Sequence, residues 1–199
     1  MKRSLMMGLA AIVAIAAPVA ASAAPIYASF ATVEKNGPRG SADGRDDITN
    51  AYGAPDGAFF ELGYGGVFDF QFGTPGGQSF RSPGSLVEIT FNNNPDWVEA
   101  VKIEVGLKAD PGSFVPVSPD PFVNTATGSD PSFTFAGLFD TVRLTDITKN
   151  YDSQASRGST GGFDVDAIGV TPVPLPGAGM LLAGALCAAG AAGARRRRG

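Results

Sequence analysis

Six aspartates have spacings that could do chemistry. Asp43, Asp46 and Asp47 fall in one polar stretch, and Asp56 sits in Gly53-Ala54-Pro55-Asp56-Gly57. Asp164 and Asp166 stand one residue apart in Phe163-Asp164-Val165-Asp166-Ala167. In a strand that spacing puts both carboxylates on one face, with Ile168 beyond them. Like charges so placed repel unless a cation or a basic side chain lies between them. Calcium takes six to eight oxygens from carboxylates, amides and carbonyls. An early loop closing on the last strand would offer Asp46, Asp47, Asp56, Asp164 and Asp166 as Ca2+ ligands. The plainer alternative is that these residues form Asx turns and face water. Arg45, Arg143 or Arg157 would equally satisfy the Asp164–Asp166 face. No contiguous EF-hand loop or glycine-aspartate repeat is present.

Other chemistries are closed by composition. The chain has no histidine, so the commonest general base and zinc ligand are missing. There is no Gly-x-Ser-x-Gly elbow and no phosphate-binding glycine loop. A glycosidase needs two carboxylates about 5–10 Å apart, but 19 acidic residues make some such pair almost inevitable. No enzyme is expected, and a small hydrolase is only the third reading.

Both chain ends read as signals. Lys2 and Arg3 precede an apolar run from Leu5 to Val19, and Ala21-Ser22-Ala23 supplies small residues at the −3 and −1 positions of a cleavage site. This is the pattern of a secretory signal peptide over residues 1–23, used by the Sec export machinery. The C-terminal segment 172–199 has three parts: a proline motif Val173-Pro174-Leu175-Pro176-Gly177, an uncharged stretch to Ala194, and Arg195, Arg196, Arg197 and Arg198. Gly177 to Ala194 is 18 residues, just enough for a helix to span a bilayer core, but eight are Ala and five are Gly. Such a run inserts weakly, and the arginines hold its end on the cytoplasmic side. The string VPLPGAGMLLAGALCAAGAAGARRRR resembles the C-terminal sorting signal of the PEP-CTERM group in its VPLPA variant, with Gly177 where Ala is usual. That resemblance implies an exported protein held briefly in the membrane by its C-terminal helix. It implies a partner too, an exosortase that cuts near the proline motif and leaves the product at the cell envelope, at the cell surface or outside the cell. The bland alternative is an ordinary single-span anchor.

Between the signals lie residues 24–171, one domain by size. Six of the 15 basic residues belong to the signals and none of the acidic ones does, so this domain carries 9 basic against 19 acidic residues, a net −10. Nucleic acid is not an expected partner. The only cysteine, Cys187, lies in the tail, so no disulfide framework supports the domain.

Gly and Pro interrupt short apolar runs throughout, and no helical stripe is sustained, so the fold class is all-β. Strands are expected at 26–33, 58–62, 67–72, 85–91, 100–107, 113–117, 132–136, 141–147 and 163–170, with a long loop at 35–50. The segments 58–62 and 67–72 read as a strand pair around the Gly63–Gly66 turn, and Phe68, Phe70 and Phe72 should share a face. In the next strand Val87, Ile89 and Phe91 should face inward, with Leu86 out of phase. Eight or nine strands in this length predict a jelly-roll-like β-sandwich, flanked by a signal helix and a transmembrane helix.

GAPDGAFFELGYGGVFDFQFG and GGFDVDAIGV resemble exported domains found ahead of such sorting tails, sandwich modules akin to carbohydrate-binding or discoidin-like folds. That resemblance implies a polysaccharide partner, with Tyr27, Tyr52, Tyr64, Trp97 and Tyr151 as stacking faces. Aromatics in an all-β domain also serve as core and edge packing. The expected function is a non-enzymatic exported surface or extracellular-matrix protein. Its alternative is a carbohydrate-binding module, with or without structural calcium.

Overall fold

The computed structural model describes residues 24–41, 44–73, 80–88, 98–125, 132–151 and 161–172. The signal-cleavage residues Ala21 and Ala23, Asp43, Trp97, Arg157, the Val173–Gly177 motif and Arg195–Arg198 lie outside the described residues. Among the described residues no helix is long and apolar enough to cross a membrane.

Eleven strands are described: β1 (Ile26–Tyr27), β2 (Phe30–Lys35), β3 (Phe60–Glu61), β4 (Val67–Gln71), β5 (Phe80–Glu88), β6 (Val98–Leu107), β7 (Asp110–Pro116), β8 (Phe122–Thr125), β9 (Ser132–Phe133), β10 (Thr141–Asp146) and β11 (Asp164–Pro172). They form two antiparallel sheets. One runs β1-β11-β5-β9, with β3 also on β11, and the other runs β2-β4-β10-β6-β7, with β8 also on β6. Phenylalanine fills the space between them. Phe60 of the first sheet meets Phe68 of the second edge-on at 5.0 Å, and Phe72 meets Phe80 at 5.1 Å. Such edge-to-face pairs each add roughly 0.5–1.5 kcal/mol beyond burial. Phe68, Phe70 and Phe72 are all buried, as their alternation requires.

Three expectations are corrected. First, β3 and β4 do not pair with each other. The chain crosses from one sheet to the other at Gly63–Gly66, because β3 hydrogen-bonds to β11 while β4 lies between β2 and β10. Second, Leu86 is a fully buried core residue and Val87 is half-buried, so the described part of β5 has the opposite phase from the expected one, and Ile89 and Phe91 lie outside the described residues. Third, Ile168 does not share a face with Asp164 and Asp166. A register shift between Val165 and Ala167 in the β11–β5 ladder inserts one residue, and Ile168 turns into the core beside Leu86. A β-bulge of this kind reverses the alternation beyond it.

Candidate functional site at the loop end of the sandwich

One end of the sandwich collects the segment after β2, the Gly63–Gly66 turn and the segment after β10. Loops fixed on such a scaffold are where binding side chains concentrate. The crossing at this end is built from glycines. Gly63 adopts φ +69°, and a Cβ there would lie 2.6 Å from the Pro38 carbonyl oxygen. A Cβ at Gly162 would lie 2.7 Å from the Gly63 nitrogen. Three backbone segments therefore touch where no side chain fits. The Leu62 N–H donates to Phe163 O at 3.0 Å, and the Tyr64 N–H donates to Pro38 O at 3.3 Å.

Asp146, the last residue of β10, ties the turn down. Its Oδ1 accepts from the Gly65 N–H at 3.0 Å, and its Oδ2 accepts from the Phe163 N–H and the Thr148 hydroxyl, each at 2.8 Å. Burial pushes this carboxyl above its usual range, against the pull of those donors. Glu61 lies across the β11–β3 ladder from Asp164. Its Oε1 accepts from the Gly40 N–H at 3.2 Å, and its Oε2 is 3.8 Å from Arg45 Nη1. Burial raises its pKa as well.

Around this turn stand polar groups with planar or cationic heads. The Arg39 guanidinium lies 4.7 Å from the Phe60 ring centre and 5.0 Å from that of Phe68, and donates to Asn36 Oδ1 at 2.6 Å. The Lys149 ammonium sits 5.1 Å from the Tyr64 ring centre. Two residues on, Tyr151 is 43% exposed. Of the aromatic residues singled out for sugar stacking, Tyr64 is buried, and Tyr27 and Tyr52 are half-buried. Tyr27 lies over Gly169, and Tyr52 packs against the core. Tyr151 alone among the described four presents an open ring.

The five carboxylates considered for calcium are not gathered into one cage. Asp47 caps the 3-10 turn Ile48–Ala51, accepting from the Thr49 N–H at 3.0 Å and the Thr49 hydroxyl at 2.7 Å. Those hydrogen bonds lower its pKa. Asp46 is exposed in the same loop. Asp56 accepts from the Ala58 N–H at 2.9 Å, which makes it an Asx-turn residue. Asp166, at the bulge, accepts from the Asp56 N–H through Oδ1 and the Gly57 N–H through Oδ2, each at 3.1 Å. Asp164 is buried opposite Glu61. Among the described residues no group of three acidic side chains is placed to hold a metal ion. The Asp56–Gly57 segment meets the last strand through its backbone N–H groups, which the Asp166 carboxylate accepts. Asp166→Ala should speed hydrogen exchange of the Asp56 and Gly57 amides and cost about 1–3 kcal/mol. Unchanged protection of those two amides would rule the tether out.

Sequence reasoning missed Asp146, because its importance comes from donors at positions 65 and 163. Asn36 and Arg39 also gave no signal beyond their place in a polar loop.

No protein-family profile matches the chain, and no curated protein does. Solved structures do. A truncated AlyQ with CBM32 and alginate lyase domains is matched over 78% of this chain at 17% identity and a TM-score of 0.47, and the chain spans 36% of that structure's length. The CBM32 of AlyQ in complex with 4,5-unsaturated mannuronic acid is matched over 74% of this chain and 97% of that one, at 14% identity and a TM-score of 0.43. The family 32 CBM from C. perfringens NanJ in complex with galactose is matched over 74% and 98%, at 12% identity and a TM-score of 0.41.

Proposed function

We propose that this chain is an exported, non-catalytic surface or matrix protein whose loop end binds carbohydrate. The observation that carries this reading is the open Tyr151 ring, two residues on from Lys149, at the end of the sandwich that also holds the Asn36 amide and the Arg39 guanidinium. Sugar recognition needs an apolar face to stack on and planar polar groups that bond hydroxyls. A catalytic acid or base must reach a substrate proton. Here the Asp146 carboxylate is turned onto the N–H groups of Gly65 and Phe163, and Glu61 onto that of Gly40. That engagement favours binding over turnover.

Delivery belongs to the same reading. Residues 1–23 direct Sec export, and an exosortase cuts near the Val173–Gly177 motif while the tail and its arginines hold the precursor in the membrane. In support, β11, the last described strand, runs to Pro172, directly before the proline motif in sequence. Intact mass of the protein from its native host tests the cut. A product still carrying Arg195–Arg198 would mean a plain anchor.

Glycan-array binding tests the site. Tyr151→Ala should weaken binding about tenfold, the loss of one stacking contact, with the unfolding midpoint unchanged. Should no glycan be retained by the wild-type chain, the carbohydrate reading fails.

A further inference from the structure

The basic residues of this acidic domain are not spread evenly. Among the described residues, Arg45, Lys102, Lys108 and Arg143 each lie within 4 Å of a carboxylate. Lys35, Arg39 and Lys149 have no such ion pair, and all three border the Gly63–Gly66 turn. A Cβ at Gly65 would lie 3.7 Å from Lys35 Nζ, Lys149 faces the Tyr64 ring, and Arg39 lies beside Phe68 just after the turn. Lys35 and Lys149 are exposed, and Arg39 is half-buried. Glu61 and Asp46 act on Arg39 electrostatically without an ion pair, and the Asp146 carboxylate at the turn is taken up by the Gly65 N–H.

We infer that the carbohydrate bound here is an acidic one, with ring carboxylates received by Lys35, Arg39 and Lys149. This rests on the glycan reading above and narrows it. At physiological salt, charges beyond about 8 Å are largely screened, so the balance at the turn counts more than the domain's −10. There the Asp146 and Glu61 carboxylates are engaged by the N–H groups of Gly65, Phe163 and Gly40, while the three cations have no carboxylate within 4 Å among the described residues. A polyuronate suits that balance. It carries one carboxylate per sugar and is otherwise hydroxyls, whereas the dense charge of a nucleic acid would meet the acidic remainder of the domain.

Affinity electrophoresis of the full chain tests the idea. The gels contain polygalacturonate, a neutral galactan, or polyglutamate. Polygalacturonate should retard the chain, and about 0.5 M salt should abolish the retardation. The double variant Lys35→Gln/Lys149→Gln should bind roughly fivefold more weakly with its unfolding midpoint unchanged. Equal retardation of wild type and double variant would overturn the site. Retardation by galactan alone would overturn the acidic ligand and leave the glycan reading standing. Retardation by neither sugar would overturn both. Equal retardation by polyglutamate would show attraction to any polyanion and overturn recognition of the sugar.

Discussion

Gly63→Ala should destabilise the domain by roughly 3–5 kcal/mol, a large part of what a domain this size has to lose. Two effects combine at this position. The backbone is left-handed, with φ +69°, which costs a residue with a Cβ about 1–2 kcal/mol. The new methyl would also be driven against the Pro38 oxygen at 2.6 Å and the Gly37 carbonyl carbon at 2.9 Å. Relief would require parting the segment after β2 from the turn, which breaks the Tyr64-to-Pro38 hydrogen bond. Two companion variants separate the effects. Gly73→Ala has φ +66° but nothing within 4 Å, so it should cost only about 1–2 kcal/mol. Gly162→Ala lacks the left-handed backbone yet meets Gly63 at 2.7 Å, so it should approach the larger value. Urea titration of the three variants reads this order directly. Were Gly73→Ala as costly as Gly63→Ala, the close crossing would not be what demands glycine.

Asp69→Asn should cost roughly 2–4 kcal/mol at neutral pH. Asp69 lies on β4 with its side chain fully buried, on the face of the sheet away from the core. Arg143 Nε donates to Oδ1 at 2.7 Å and Arg143 Nη2 to Oδ2 at 2.9 Å, while Lys108 Nζ donates to Oδ2 at 2.8 Å. Lys108 also reaches Glu34 at 2.6 Å, and the Arg143 guanidinium lies 4.0 Å from the Phe114 ring centre. Both cations keep some access to water, which holds the expected loss below that of a wholly buried pair.

The pH dependence gives a second readout. Burial by itself would raise the Asp69 pKa, but the hydrogen bonds and charges of Arg143 and Lys108 outweigh it and bring it below its ordinary value. A lowered folded pKa contributes stability above the unfolded value of about 3.9, and that contribution fades as pH falls through the folded pKa. Glu61 and Asp146 act in the opposite sense. Their pKa values are raised by burial, so their contribution is greatest below about pH 4 and declines as pH rises through their folded values. The gap between wild type and Asp69→Asn should therefore be full at pH 6–7 and narrow below about pH 4. A gap of equal size at pH 3 and pH 7 would mean that Asp69 contributes through packing alone.

The strands with strict alternation were legible because one face of each is buried. Val101, Ile103 and Val105 of β6 and Val142 and Leu144 of β10 are all in the core. Failures fall where a second rule overrides the period of two. Ile168 was misplaced because a bulge leaves no mark in Asp164-Val165-Asp166. Leu86 is out of phase with Val87, Ile89 and Phe91, which form the more regular pattern in the sequence. β3 and β4 look like a hairpin in sequence because a glycine turn joins two apolar segments, and a crossing between sheets uses the same residues. Phe122–Thr125 gave no strand signal, since Val123 is its only β-branched residue before Thr125. At the site, the acidic residues stood out and the basic ones did not. Carboxylate spacing is local in sequence, whereas Lys35 and Lys149 meet only through the fold.

β11 lies inside its sheet, with β1 and β3 on one side and β5 on the other. It is also the last of the described strands, and its Val170 pairs with Ile26 of the first. A ribosome releases this protein in order, so the three strands that pair with β11 must wait for a centre that emerges after them. Contacts this distant in sequence slow folding. Filling of the first sheet is thus timed to the passage of β11, and a chain halted before residue 164 would display an unfilled strand slot to any quality-control protease that meets it.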